Sequence, residues 1–123
     1  MILGIGTDIV QIARVEKAAA NPRFLERCFT DAEIAMFAAK KNNAQTIAAN
    51  FAAKEAVVKA LGTGFTNFTA KSIEILRNEN GAPFVKFYGK ALETADSLGV
   101  THIHVSLSHD AGMAVAFAVC EKL

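Results

Sequence analysis

Three charged residues stand within an otherwise apolar segment, residues 46–61, which we predict to be the third helix of the chain. They are Lys54, Glu55 and Lys59. Burial of a carboxylate is destabilising by several kcal/mol unless the group is paired with a cation or bound to a metal ion. Glu55 and Lys59 are four positions apart, so their side chains leave one face of the helix about a turn from each other. This spacing predicts either a salt bridge at a helix edge or a carboxylate ligand beside a cation that recognises phosphate.

Asp8 is a second candidate carboxylate. It follows Gly4 and Gly6 on one face of a short strand that we predict over residues 2–9, so another group can approach this face closely. Asp8 could cap the helix that follows the strand, or it could face an open site. Two carboxylates from separate elements, with a lysine nearby and no Cys/His cluster, match the oxygen ligands that Mg²⁺ prefers. The pattern therefore favours phosphoryl-transfer chemistry over zinc chemistry.

Two further regions are candidates for contact with a substrate. Gly62, Thr63 and Gly64 directly follow the helix that bears Glu55, and their backbone amides could approach an anion. A helix C-cap and turn is the commoner meaning of such a sequence, and the chain has no Walker A loop. His109 follows Ser108 without a nucleophile elbow, so we predict a turn or substrate-contact role for His109 and no hydrolase triad.

The remaining histidines and the cysteines have simpler interpretations. His102 and His104 share one face of a predicted strand, and we expect them to lie at the surface. Cys28 and Cys120 are widely separated among apolar neighbours, so we expect small buried thiols rather than a disulfide.

The elements that must position these residues follow from apolar periodicity and from the capping and turn residues between the periodic segments. Their order is a strand, three helices, a β-hairpin, a helix and a second β-hairpin. Paired hairpins that flank a helix predict an α+β fold, a mostly antiparallel sheet with packed helices. The predicted strands are residues 2–9, 72–76, 84–88, 102–108 and 113–120, and the predicted helices are residues 10–20, about 31–40, 46–61 and 90–98.

Length and composition limit the protein class. The chain has 123 residues, of which 52% are apolar and 20% charged, and we expect residues 1–123 to form a single globular domain. A net charge of +1 argues against binding to duplex nucleic acid. The N-terminus lacks the basic region of a signal peptide, and no apolar run reaches the length of a membrane span. We therefore expect a cytoplasmic protein with no nucleic-acid or membrane partner.

Taken in order, these segments resemble the holo-acyl-carrier-protein synthase family of 4'-phosphopantetheinyl transferases. The similarity extends over essentially the whole chain. It is most specific in the block KEAVVKALGTG at residues 54–64 and in the distance of that block from GIGTD at residues 4–8. Further matches are Arg14 and the segments FTDAE (29–33), FAA (51–53), NGAP (80–83) and VSLSHD (105–110).

The resemblance implies a 4'-phosphopantetheinyl transferase-like fold and transfer of phosphopantetheine from coenzyme A to a serine of an apo-acyl carrier protein, with release of adenosine 3',5'-bisphosphate. It implies Mg²⁺ ligands at Asp8 and Glu55, Lys59 at the phosphates, and a homotrimer whose active sites lie between neighbouring subunits. Glu55 is also our candidate for the base that accepts the serine proton. The residues expected along coenzyme A are Lys54, Gly62, Thr63, Gly64, Gly81, Pro83 and His109.

The carrier protein is the second expected partner. Carriers of this class are acidic, so we expect a basic docking surface, with Arg14 as its first candidate and Lys17, Arg23 and Arg27 as others. Glu16 and Glu26 stand in the same stretch, and the alternative is an ordinary solvated surface.

Position 50 departs from the family pattern. Members commonly have an arginine there, whereas this chain has Asn50. Asparagine offers only neutral hydrogen bonds, so affinity for coenzyme A is the property in question, and Lys40, Lys41 or Lys54 are candidates to compensate.

Two other functions use the same residues. A different magnesium phosphotransferase or nucleotide hydrolase would act without a carrier protein. A non-catalytic module would bind coenzyme A or the carrier without turnover.

Overall fold

The structure is a computed structural model that describes residues 1–65 and 68–123. The predicted α+β class and the antiparallel pairing are confirmed, and the predicted order of elements holds with one helix added. The elements are β1 (Ile2–Gln11), α1 (Ile12–Ala19), α2 (Pro22–Cys28), α3 (Asp31–Ala39), α4 (Ala44–Leu61), a 3₁₀ turn (Ala70–Ser72), β2 (Ile73–Arg77), β3 (Pro83–Phe87), α5 (Gly89–Leu98), β4 (His102–Asp110) and β5 (Met113–Glu121).

The strands form two sheets rather than one. In the first, β5 lies between β1 and β4, and both pairings are antiparallel. The second is the β2–β3 hairpin. The register of the first sheet places Asp8 opposite Ala116 and His109 opposite Ala114.

Close packing of β1 on α4 fixes the position of Asp8. Gly4, Gly6 and Asp8 lie on one face of β1, because side chains alternate along a strand. A Cβ atom on Gly4 would lie 2.0 Å from the carbonyl oxygen of Ala60, and one on Gly6 would lie 2.0 Å from that of Ala56. The close approach predicted from the two glycines is confirmed, and the approaching element is the helix that carries Glu55 and Lys59.

Helix α4 is packed on several sides, as its apolar sequence predicts. On one side its residues Val57 and Leu61 join a core cluster with Ile73 and Ile75 of β2. On the other side its first turns join a second cluster, which includes Phe29 just before α3 and Phe37 within it. That second cluster contains Val15, Phe29, Phe37, Ile47, Ala48 and Ala114.

Two predictions near the N-terminus were wrong. The prediction had no helix over Pro22–Cys28, where α2 lies. The Asn21 side chain accepts a hydrogen bond from the Arg23 amide at 3.0 Å, and Pro22 occupies the first turn, so the pair that ends α1 also begins α2. The first strand runs on to Gln11, which precedes α1, so Asp8 lies within the strand and does not cap that helix.

Other local predictions are confirmed. Thr30 and Glu33 form the predicted capping box at the start of α3, with hydrogen bonds of 3.0 and 3.2 Å. Cys28 and Cys120 are free thiols, and Cys120 is buried as predicted, whereas Cys28 is only half-buried. His102 and His104 are exposed on β4. Within residues 1–65 and 68–123, none of the helices combines the length and the apolar character needed to span a bilayer.

Candidate active site

Lys59 is paired across two elements. Its Nζ atom donates to Oδ1 of Asp8 at 3.1 Å and to the carbonyl oxygen of Thr7 at 2.9 Å. The predicted alternative, a salt bridge between Lys59 and Glu55 along the helix, is not formed. The lysine side chain is 55% exposed and the aspartate 17%, so the pair lies at the mouth of the β1–α4 contact.

Glu55 lies one helical turn before Lys59 and is partly buried. Its carboxylate makes no hydrogen bond or ion pair with any residue in the described part of the chain. Burial raises the pKa of the Glu55 carboxyl, the negative charge of Asp8 raises it further, and the ammonium of Lys59 opposes the shift. Asp8 and Glu55 therefore repel each other across a site that a cation would stabilise.

This donor set fits a divalent cation with oxygen ligands. Asp8 and Glu55 supply two carboxylates, and Mg²⁺ is typically held by one or two carboxylates while water and substrate phosphate complete its shell. The unpartnered carboxylate of Glu55 is what such an ion would neutralise. The described residues contain no group of three or more His, Cys, Asp or Glu side chains that could hold a metal alone. A site of this kind therefore needs ligands from the substrate or from water.

The turn after α4 has the conformation that the sequence predicts. Gly62 is left-handed with φ +76°, and its amide donates to the carbonyl oxygens of Val58 and Lys59 at 3.1 Å, which ends the helix. The Thr63 hydroxyl donates to the carbonyl oxygen of Gly64 at 3.1 Å, and Gly64 has φ +63°. The helix-cap interpretation is confirmed, and contact of this turn with an anion stays a prediction.

A cleft of about 350 Å³ brings together three other predicted residues, Gly81, Pro83 and His109. We call it the His109 cleft. Asp8, Glu55 and Lys59 are not among its lining residues, so the cleft and the carboxylates are different parts of the surface. It is lined by Asn43, Gln45, Thr46 and Ala49 at the start of α4, by Arg77, Gly81 and Pro83 of the β2–β3 hairpin, and by residues 105–109 of β4.

His109 and Ser108 do not form a catalytic pair. They are neighbours on β4 and alternate between its faces, and no hydrogen bond joins them within the described residues. The prediction that excluded a hydrolase triad is consistent with this geometry.

Lys54 lies in the core. Its side chain is 1% exposed, and Nζ donates to Oε1 of Glu33 at 2.6 Å and to the carbonyl oxygens of Ala70 and Ile73 at 2.9 and 2.7 Å. Burial lowers the pKa of Lys54, and the negative charge of Glu33 opposes that shift. Three partners use all three ammonium protons. We therefore replace the predicted contact of Lys54 with coenzyme A by a structural role.

Asn50 belongs to the same buried group. Its Nδ2 atom donates to Oε2 of Glu33 at 3.0 Å and to the carbonyl oxygen of Ile75 at 2.8 Å. Its Oδ1 atom is buried and has no hydrogen-bond partner within the described part of the chain. Glu33 also accepts from the amide of Ile75 at 3.2 Å. We call Thr30, Glu33, Asn50, Lys54 and Ile75 the Glu33 network.

Sequence reasoning missed the Glu33 network and Arg77. Glu33 was recognised only as a capping residue, because its other partners lie on α4 and β2. Arg77 had a usable signal: it pairs with Pro83 in the hairpin register, so it stands directly beside the turn that was predicted to contact coenzyme A.

Arg14 lies on the exposed side of α1, at one wall of a groove of about 430 Å³. The groove is largely apolar, with Ile9, Phe24, Phe51 and Met113 among its lining residues. The other basic candidates, Lys17, Arg23 and Arg27, are also exposed.

Comparison with known proteins gives one consistent result. A sequence model of the 4'-phosphopantetheinyl transferase superfamily matches residues 4–120. The holo-[acyl-carrier-protein] synthase of Clostridium botulinum (strain Eklund 17B) is 51% identical, with 100% of both chains covered. The crystal structure of the Neisseria meningitidis holo-[acyl-carrier-protein] synthase is 35% identical with a TM-score of 0.89, covering 99% of this chain and 100% of that one. The Helicobacter pylori enzyme, solved in complex with coenzyme A, is 36% identical with a TM-score of 0.83, covering 95% of this chain and 99% of that one. The chain belongs to the holo-acyl-carrier-protein synthase family of the 4'-phosphopantetheinyl transferase superfamily.

Proposed function

We propose that this protein transfers the 4'-phosphopantetheine group of coenzyme A to a serine of an apo-acyl carrier protein. The observation that carries the proposal is the convergence of Asp8, Glu55 and Lys59 from β1 and α4 in a chain that matches holo-acyl-carrier-protein synthases over its full length. The serine oxygen forms a bond to the pantetheine-side phosphorus. The bond from that phosphorus to the bridging oxygen breaks, and adenosine 3',5'-bisphosphate leaves.

Asp8 and Glu55 would hold Mg²⁺, which would supply positive charge at the pyrophosphate oxygens and the leaving group. The side chain of Lys59 is more than half exposed, so its ammonium can reach a phosphoryl oxygen and stabilise the negative charge that develops during transfer. The Glu55 carboxyl is our candidate to accept the serine proton, directly or through a water molecule.

The protein is proposed to act as a homotrimer. On the face of the first sheet that points away from α4, β1 and β5 carry exposed apolar side chains, with Ile5 and Ile9 each 60% exposed and Phe117 45% exposed. An apolar sheet face of this kind favours association with a second protein surface. The separation of the His109 cleft from Asp8 and Glu55 supports the same proposal, because coenzyme A could then lie between the cleft of one subunit and the carboxylates of its neighbour.

The carrier is proposed to dock at Arg14, beside the apolar groove between α1 and Phe51. A charged group at the rim of an apolar groove suits an acidic, amphipathic partner surface, since the charge steers encounter and the groove buries apolar area. With the proposed activity we also propose that the carrier serves fatty-acid synthesis and that the protein acts in the cytoplasm.

Intact-mass measurement of an apo-acyl carrier protein after incubation with the protein, coenzyme A and Mg²⁺ tests the proposal. The carrier should gain the mass of one phosphopantetheine group, and chelation of the divalent ion should abolish the gain. Product release from coenzyme A without any carrier would indicate a nucleotide hydrolase. Binding of coenzyme A without turnover, across several carriers, would indicate a non-catalytic module.

A further inference from the structure

Arg77 is the only side chain with a permanent charge among the described residues that line the His109 cleft. The other lining groups are neutral amides, hydroxyls, apolar side chains and backbone, together with the imidazole of His109. A cleft of about 350 Å³ is within the size range of small-molecule sites.

The fold directs Arg77 into the cleft. Ile73, Ile75 and Arg77 share one face of β2, and the two isoleucines are completely buried against α4. Arg77 is the last residue of the strand, and its partly buried side chain continues that face where the core ends and the cleft begins.

The guanidinium has no protein anion of its own. Within residues 1–65 and 68–123 no carboxylate lies within salt-bridge distance of Arg77. Its one hydrogen bond is a long contact, 3.4 Å, from Nη1 to the carbonyl oxygen of the adjacent Leu76. Burial lowers the pKa of Arg77 and the charge of Glu33 opposes that shift, but Glu33 already accepts hydrogen bonds from Lys54, Asn50, Thr30 and Ile75. A partly desolvated cation with unused donors is well suited to bind an anion that enters from solvent.

The identity of the anion that Arg77 would bind follows from the proposed function, on which this step rests. Coenzyme A carries a pyrophosphate and a separate 3'-phosphate on its ribose. The pyrophosphate is already assigned to Asp8, Glu55 and Lys59, so the 3'-phosphate needs another cation. Lys40 and Lys41 are exposed and are not among the residues that line the His109 cleft. Position 50 holds a neutral, fully buried asparagine, whose amide nitrogen is committed to Glu33 and Ile75, so it offers no positive charge. Lys54 is likewise fully committed in the core.

We propose that Arg77 binds the 3'-phosphate of coenzyme A in the His109 cleft and makes this chain selective for the 3'-phosphorylated coenzyme over 3'-dephospho-coenzyme A. Arg77 acts here as a specificity residue. It does not contact the phosphorus that is transferred.

Direct binding tests the inference without depending on the transfer reaction. Calorimetric titration with adenosine 3',5'-bisphosphate and with adenosine 5'-monophosphate would be compared for the native protein, Arg77→Gln, Arg77→Lys and a control, Lys90→Gln. Lys90 is exposed on α5 and forms only a surface pair with Glu93. The native protein and the control should prefer the 3'-phosphorylated ligand by about ten- to a hundredfold, the range expected for a charge-assisted hydrogen-bonded contact. Arg77→Gln should bind both ligands almost equally, and Arg77→Lys should retain part of the preference.

A parallel transfer assay would compare KM for coenzyme A and for dephospho-coenzyme A, and KM for coenzyme A should rise in Arg77→Gln towards the value for dephospho-coenzyme A while the Lys90→Gln control keeps the native difference. An unchanged ligand preference in Arg77→Gln, with or without a lower melting temperature, would mean that Arg77 only balances the charge of Glu33 and would overturn the inference. Absence of transfer by the native protein, with the binding preference intact and lost in Arg77→Gln, would count against the proposed function while leaving the 3'-phosphate site in place.

Discussion

The ammonium of Lys59 lies 3.1 Å from Oδ1 of Asp8, although the two residues are 51 positions apart in the chain. The pair exists because Gly4 and Gly6 allow β1 to lie against the backbone of α4. Glu55, one turn earlier on the same helix, is brought near Asp8 by the same contact, and its carboxylate makes no hydrogen bond or ion pair within residues 1–65 and 68–123. Fold and chemistry are therefore linked through two glycines.

Replacement of Glu55 by glutamine should abolish activity without loss of stability. The amide cannot provide the second anionic ligand, so holo-carrier formation should fall by roughly a hundredfold or more. The native carboxyl is partly buried and repelled by Asp8, so a neutral side chain should leave the melting temperature unchanged or raise it. Intact-mass kinetics, Mg²⁺ titration calorimetry and thermal unfolding without metal provide the three measurements. A large drop in the melting temperature would contradict the assignment of Glu55 as a ligand rather than a structural residue.

Lys54→Met should have the opposite effect, a loss of stability. Removal of the ammonium leaves Glu33 charged, buried and without its cation. We expect the free energy of unfolding to fall by about 3–5 kcal/mol. The double variant Lys54→Met/Glu33→Gln should recover part of this loss, because the unpaired charge is then removed as well. Lys59→Met is the matched control, since its ion pair is largely exposed and should contribute less than about 1 kcal/mol. Urea unfolding at a fixed protomer concentration measures all three, and equal losses for Lys54→Met and Lys59→Met would argue against a structural role for Lys54.

These two lysines also show how far the sequence can lead. Lys54, Glu55 and Lys59 were identified because charge is unusual in an apolar helix, and Asp8 because bare glycines precede it on its strand. The presence of charge in an apolar helix does not distinguish the structural role of Lys54 from the site role of Lys59. The partner of Lys54 is Glu33 on another helix, and the partner of Lys59 is Asp8 on a strand. The separation depends on which faces of α4 meet α3, β2 and β1, and this is a property of tertiary packing.

The same reason explains the corrections elsewhere. The helix periodicity and the turn residues predicted most elements, whereas α2 was missed because Asn21 and Pro22 both end one helix and begin the next. Arg77 lines the His109 cleft because β2 pairs with β3 and because β4 lies beside them. A local sequence pattern specifies neither arrangement.

Gly6→Ala should separate the residues of the candidate site. The new methyl group would overlap the backbone oxygen of Ala56, 2.0 Å away, so β1 and α4 must move apart. We expect the free energy of unfolding to fall by well over the roughly 1 kcal/mol that alanine costs at a left-handed glycine position. Transfer activity should be lost as well. Gly112→Ala is the comparison, because that glycine has φ +77° but nothing within 4 Å of its added Cβ. Denaturant unfolding of both variants shows which is less stable, and Gly6→Ala should be the less stable one. A Gly6→Ala protein as stable and active as Gly112→Ala would refute the packing explanation.

Phe117→Asp should dissociate the proposed homotrimer. Phe117 is 45% exposed on the apolar face of the first sheet and lies opposite Thr7 and Ser106 in the register, so an aspartate there places a charge in the centre of that face. Its exposure in the single chain means that the monomer should still fold, with a native circular-dichroism spectrum. Light scattering coupled to gel filtration should show a trimer for the native protein and a monomer for the variant, and the monomer should lack transfer activity. A fully active monomer would require a site within one chain.

Subunit complementation tests the location of the active site directly. Asp8, Glu55 and Lys59 lie on one part of the chain and the His109 cleft on another, so a site between subunits takes each part from a different copy. Co-expression of Glu55→Gln with Arg77→Gln/His109→Ala, under two affinity tags, should yield mixed trimers in which about one interface in three combines two native parts. Holo-carrier formation should therefore reappear in the doubly purified protein. The pair Asp8→Asn and Glu55→Gln is the control, because both defects fall on the same part of the site and no interface can escape them. Equal activity in the two mixtures would show that the carboxylates and the cleft of one chain do not cooperate with those of its neighbour.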